Sequence, residues 1–418
     1  MTTTKTKPFL ISKKLVMEAY QRVKANRGAA GVDHQSLEAF EVRLKDNLYR
    51  LWNRMSSGSY LPPPVRAVTI PKKVGGERLL GIPTVSDRIA QMVVKLMLEP
   101  SVEPYFLADS YGYRPGKSAL DAVEVTRKRC WKYDWVVEFD IRGLFDAIDH
   151  TLMMRALQRH TKCPWVVLYI ERWLTAQIEM PDEQLVSRTK GTPQGGVISP
   201  LLANLFMHYA FDAWMTREFP DTPWCRYADD GVIHCRTEAE ALQVKEALST
   251  RMMGCLLELH PEKTRIVYCK DGSRKGTYAD VAFDFLGYTF RRRPTKNTKA
   301  NTVFSNFSPA ASSASLKAMR QRVRRENFRN KPIYSLEAIA RYFNPILRGW
   351  IQYYGRFYRS ELYAVFRHFN QTLVAWAMRK YKRFHRRRVA ASRFLQCIAE
   401  QQPDLFVHWK IGMRGSFV

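Results

Sequence analysis

The chain has 418 residues, with 67 Lys and Arg against 39 Asp and Glu, a formal net charge of +28. Its 46% apolar and 12% aromatic content suffices for buried cores and excludes general disorder. The longest clean apolar run, Val166 to Ile170, excludes a membrane helix of about 18 or more residues, and the Thr- and Lys-rich start lacks the apolar core of a secretory leader. A cytoplasmic product is therefore expected.

In chain order, the pattern predicts a helix to about Arg27, a turn at Gly28-Ala29-Ala30-Gly31 and a second helix from Ser36 to about Met55, ended by Pro62-Pro63-Pro64. Val65 to Lys72 and Arg78 to Ile82 read as strands reversed through Gly75-Gly76. Ser86-Asp87 caps a helix running to Glu99. Trp135 to Asp140 is a short apolar strand, and helices fit 149–159, 164–178 and 199–218. Trp224 to Cys235 reads as a hairpin, 237–254 as a helix and Phe283 to Phe290 as a strand. Lys270 to Tyr278 and Arg291 to Ser313 read as polar loops, the second as a domain boundary. Beyond it the pattern is helical, with Asn344-Pro345 fitting the cap and first position of a new helix.

Charge is distributed unevenly. The 128 residues after Phe290 hold 27 basic and 5 acidic residues, so they carry +22 of the total. Such a surface calls for a polyanion, and nucleic acid is the expected partner. Aromatics interleave with the cations, as at Arg348-Gly349-Trp350 and Tyr353-Tyr354-Gly355-Arg356. The steps between Leu336, Ile339, Phe343, Leu347, Trp350 and Tyr354 are those of a helical core face, so packing is the reading for those rings. Phosphate contact is assigned to Arg348, Arg356 and the run Arg386-Arg387-Arg388.

Two acidic sites stand where apolar strands end or turn: Phe139-Asp140-Ile141 and Tyr227-Ala228-Asp229-Asp230. Carboxylates brought within about 4 Å repel by roughly 4 kcal/mol per pair at an effective dielectric near 20. A hard divalent cation such as Mg²⁺ removes that penalty and also binds substrate phosphates. An ordinary solvated turn at Asp229-Asp230 remains open on those four letters alone. His150, His208, His234 and His260 are scattered without ligand spacing and read as structural.

An ordered set of stretches narrows the choice. These are Gly28 to Asp33, Ile70 to Arg78, Gly81 to Thr84, Ser110 to Gly116, Phe139 to Asp146, Gly191 to Asn204, Arg226 to Asp230, Glu262 to Thr264, Phe285 to Gly287 and Tyr342 to Trp350. In this series the chain resembles the group II intron-encoded reverse transcriptase/maturase family over nearly its whole length. The resemblance implies an α+β right-hand polymerase, with fingers and palm over 1–290, a helical thumb or maturase region over 291–372 and a short basic DNA-binding-like module over 373–418. It also implies two Mg²⁺ ions held by Asp140, Asp229, the carbonyl of Ile141 and Asp230.

By the same resemblance, Lys263 is the candidate proton donor to departing pyrophosphate, and Phe145 the ring that excludes a 2′ hydroxyl. Lys72 and Arg78 meet the triphosphate, Gln194 lies by the nascent base pair, and Arg114 touches template or nucleotide. The implied partners are group II intron RNA, an RNA template with a DNA primer, target DNA and dNTPs, in a bacterial, nucleoid-associated setting. The chain lacks the paired cysteines that hold the endonuclease domain of many relatives, so none is expected. Three alternatives keep parts of this reading: a domesticated enzyme of DNA repair or phage defence, an RNA-binding splicing factor with a vestigial site, and an RNA-dependent RNA polymerase.

Overall fold

The computed structural model describes residues 7–71, 77–297, 301–415 and 417. It divides the chain into two compact units, one of Met1–Ala122 with Val137–Ile266, the other of Val123–Val136 with Val267–Val418. The expected finger turn at Gly75-Gly76, with Lys72, lies outside the described residues. Among those described, no helix is long and apolar enough to cross a membrane.

The first unit opens with helices Lys13–Asn26, Leu37–Val42 and Leu44–Ser56. Ser12 and Ser36 cap the first two by accepting from the amides of Leu15 and Ala39. Strands Val65–Pro71 and Glu77–Ile82 pair antiparallel, with Arg66 opposite Ile82 and Pro71 opposite Glu77. Helix Val85–Val102 crosses the interior and is buried along most of its length. Its Asp87 carboxylate, 1% exposed, is satisfied by the Tyr60 hydroxyl at 2.7 Å, the Trp173 indole at 2.7 Å and the Gln91 amide at 2.9 Å. Burial raises that carboxyl above its ordinary value although all three partners favour the charged form.

A four-stranded sheet in the order Trp224–Tyr227, Asp230–Cys235, Trp135–Asp140, Arg265–Tyr268 carries both acidic motifs. The long helical stretch predicted over 199–218 forms as Ser199–Met207 and Ala213–Glu218, joined by a π-helical turn at His208–Asp212. Helix Ala119–Cys130 was not predicted. Its charged last turn, Arg127 to Arg129, hides the apolar face that buries Ala122 and Val123.

The second unit corrects three expectations. The stretch from Arg291 to Ser313 is not a loop: Tyr288–Asn297 and Thr302–Ala311 pair antiparallel along ten residues, with Ala282–Phe285 as third strand. Three consecutive arginines, Arg291 to Arg293, fall on both faces and masked the alternation, while Phe283 stacks on Phe290 at 4.6 Å and meets Phe307 at 6.0 Å. Asn344-Pro345 does not start a helix, because Leu336–Tyr354 runs through it. The Asn344 side chain instead reaches the end of the chain, donating to the Leu405 carbonyl at 2.9 Å and accepting from the Val407 amide at 3.1 Å.

The third correction concerns a boundary at 372/373. That position lies inside helix Tyr363–Lys380, and a single apolar core runs from Ala311 to Phe417. Leu336, Ile339, Phe343 and Leu347 are buried in that core with Trp350 and Tyr354 packed against it, as their spacing predicted. Asn370 joins the final segment through its Oδ1, which accepts from the Trp409 indole at 3.2 Å and meets the His408 imidazole at 2.7 Å.

Burial pushes the His408 imidazole down from 6.5 to about 3. The native state keeps it neutral while the unfolded chain takes a proton below about 6.5. The contribution is therefore complete above that value and is lost as pH falls toward 3. Urea melts across this window are expected to show His408→Gln losing less stability on acidification than the parent chain, with the two curves parallel above pH 7.

Candidate active site

The site is built on the hairpin Trp224–Tyr227/Asp230–Cys235, closed by a two-residue loop with Tyr227 paired to Asp230. Ala228 takes a left-handed φ of 58°, uncommon for a residue with a side chain. Two close approaches hold the loop in place. A Cβ on Gly112 would lie 2.5 Å from the Ala228 nitrogen, and one on Gly231 would lie 2.2 Å from the Phe139 ring.

Beneath the loop lies Arg226, fully buried and forked onto Asp212, with Nε and Nη2 each 2.7 Å from a carboxylate oxygen. Its remaining donors go to Asn204 Oδ1 at 3.2 Å, the Ala228 carbonyl at 3.0 Å and Ser110 Oγ at 2.8 Å. Asn204 in turn donates to the Gly112 carbonyl at 2.5 Å. One guanidinium thus ties the acidic turn to the π-helical turn and to the Ser110–Gly116 segment. Sequence reading quoted Arg226 in its motif but gave it no role, since the partner Asp212 carries no pattern of its own.

The strand Trp135–Asp140 delivers Asp140 beside this turn. The Ile141 amide donates to the Asp229 carbonyl at 3.3 Å, and the Asp140 carbonyl accepts from the His260 amide at 2.8 Å. The three carboxyl groups feel one another strongly. Burial first, then the charges of Asp229 and Asp140, push Asp230 up to about 8, and its carboxyl shares a hydrogen bond with that of Asp140. Burial, aided by the Asp140 charge, also raises Asp229.

Lys263 reaches in from the other side, its Nζ 2.9 Å from Asp140 Oδ2. Burial works to lower its pKa, but Asp140, Asp230 and Asp229 outweigh that and hold it above the usual lysine value. Among the described residues no group of three or more His, Cys, Asp or Glu stands ready to hold a metal ion. Instead the Lys263 ammonium pairs with Asp140 beside the other two carboxyl groups. The donor set nonetheless suits a hard divalent cation, being all carboxylate and electrostatically frustrated without one.

Phe145 is 7% exposed, and its ring meets that of Tyr113 edge-on at 6.5 Å. Tyr113 has a left-handed φ of 57° and also faces Tyr227 at 6.2 Å. Gln194 accepts from Arg78 Nε and donates to Asp146 Oδ2 at 2.6 Å, a link between two separately predicted residues that the sequence did not indicate. Arg114 is placed otherwise. Its side chain, 6% exposed, pairs with Glu103 at 2.7 Å and donates to the carbonyls of Leu107 and Ser110, so it braces this segment. Arg348, Arg386, Arg387 and Arg388 are exposed, and Arg356 is exposed with an ion pair to Glu124 at 3.3 Å.

Residues 70–290, more than half the chain, match the family described as reverse transcriptase (RNA-dependent DNA polymerase). The chain belongs to the reverse transcriptase family. In this reverse transcriptase, residues 316–394 match the group II intron, maturase-specific domain. The chain is 30% identical over 327 residues to protein YkfC of Escherichia coli, covering 68% of this chain and 82% of that one. It is 33% identical over 203 residues to the group II intron-encoded protein LtrA of Lactococcus lactis, covering 48% of this chain but only 33% of LtrA. A match at 24% identity covers 65% of this chain and 32% of the putative COX1/OXI3 intron 1 protein of Saccharomyces cerevisiae.

Replacing Arg226 by Ala would strand the buried Asp212 charge, at a cost of about 3–5 kcal/mol. Chemical denaturation is expected to show that loss, with Asp212→Asn losing less because the hydrogen bonds survive in part.

Proposed function

We propose that this protein copies RNA into DNA and assists the splicing of a group II intron RNA that it binds. The observation that carries the reading is the convergence of Asp140, Asp229, Asp230 and Lys263 on one sheet edge, within the stretch that matches reverse transcriptases. In this reading the first unit supplies fingers and palm, and the maturase-matching part of the second supplies the thumb. The exposed arginines after Arg341 would hold phosphates of the intron RNA.

Asp140 and Asp229, with the Ile141 carbonyl and Asp230 in support, would hold two Mg²⁺ ions, which when bound lower the pKa of a primer 3′ hydroxyl and offset the charge of leaving pyrophosphate. Lys263, kept charged by the three carboxylates, would give a proton to that leaving group. Gln194, oriented between Arg78 and Asp146, would line the floor for the nascent base pair. The Phe145 ring, supported by Tyr113, fills the space a 2′ hydroxyl needs and so selects dNTPs. Copying would occur at a DNA target site, with a DNA primer on the RNA template.

Asp229→Ala combined with Asp230→Ala should abolish extension of a DNA primer on RNA while leaving intron RNA binding and splicing within about twofold. Loss of both functions in a folded protein would defeat the two-role reading. Phe145→Ala should raise incorporation of rNTPs relative to dNTPs by about tenfold or more, and preference for rNTPs in the parent chain would overturn the assignment.

A further inference from the structure

A cavity lies in the first unit, walled by helices His150–Gln158, Ser199–Met207, Ala213–Glu218 and Glu238–Gly254 with the π-helical turn His208–Asp212. Its volume is about 350 Å³. Four arginines line it, Arg155, Arg159, Arg217 and Arg251, and no carboxylate does. Arg251 is fixed by donating to the carbonyls of Tyr209 at 2.8 Å and Ala210 at 3.0 Å, both in the π-helical turn. Those bonds orient its charge without neutralising it. Among the described residues Arg217 forms an ion pair with its neighbour Glu218 at the surface and with no other carboxylate, and Arg155 and Arg159 form none.

Arg155, Arg159 and Arg217 are exposed and Arg251 is half-buried, and an anion there would draw charge-assisted, bidentate hydrogen bonds from them. The rest of the wall is not that of a simple ion site. The Arg159 guanidinium lies 5.4 Å from the centre of the Tyr209 ring, and the side chain of Trp214 adds a second aromatic surface. A planar body can stack on such a wall while its anionic end meets the guanidinium groups. The volume falls within the range of small-ligand sites, about 300–1,000 Å³. A π-helical turn also recurs at functional sites.

From this geometry we infer that the cavity binds one nucleotide through its phosphate and its base, either as a free nucleotide or as one unit of an RNA strand. The site is separate from the Asp140–Asp229–Asp230 cluster and does not depend on the polymerase reading. None of its residues belongs to the acidic hairpin or the Gln194 network.

The test uses the full chain carrying Asp229→Ala and Asp230→Ala, without divalent cation, so that binding at the acidic cluster does not contribute. Equilibrium dialysis with labelled AMP should give saturable binding at least tenfold tighter than adenosine and tighter than inorganic phosphate. Arg155→Gln with Arg159→Gln should weaken AMP by at least tenfold. Ala213→Phe, which fills the cavity while keeping its charges, should do the same, with thermal melts reporting that each variant is folded. In the Asp229, Asp230 wild-type background the arginine pair should leave primer-extension kcat within twofold. Displacement of AMP by a ten-nucleotide single-stranded RNA identifies a strand as the source, and failure of that RNA to compete identifies a free nucleotide. AMP bound equally well by parent and both variants, phosphate bound as tightly as AMP, or no saturable AMP binding would each overturn the inference.

Discussion

The buried pair between Arg226 and Asp212 is the constraint on which the acidic site rests. A two-residue turn carrying adjacent carboxylates, with Ala228 in a left-handed conformation, is not a low-energy arrangement. The guanidinium beneath it offsets that cost by accepting the desolvation once and spending its donors on Asp212, Asn204, Ser110 and the turn itself. Desolvated charges of this kind add little net stability against an apolar alternative, but they fix one geometry among many. Here the geometry fixed is the position of Asp229 and Asp230 relative to Asp140.

Above that pair, burial first, and then the neighbouring carboxylate charges, raise Asp230 and Asp229, and Lys263 pairs with Asp140. The Lys263 ammonium is the cation that the structure sets against these carboxyl groups.

Much of this was legible in the sequence, for identifiable reasons. The strand Trp135–Asp140 and the Trp224–Cys235 hairpin are apolar runs with abrupt acidic ends, so their limits were readable almost to the residue. The core face of Leu336–Tyr354 was readable from its spacing, but the role of Asn344 was not, because its partners at Leu405 and Val407 are about sixty residues away. The ten-residue strands from Tyr288 and Thr302 were hidden because three consecutive arginines, one of them buried, broke the apolar alternation. Arg114 and Arg226 illustrate the remaining limit. Both are arginines in motif stretches, and only their partners show that they brace the site from within.

The stitching of the final segment by Asn344 and Asn370 has a consequence for how such proteins can diversify. A tail held by side chains from two earlier helices is not a cassette that recombination can exchange at a seam near residue 372. Any foreign ending would have to supply the same acceptors and donors at Leu405, Val407 and Trp409, or be appended outside the apolar core. Inheritance of this region is therefore expected to proceed as a block, with novelty confined to its arginine-bearing surface.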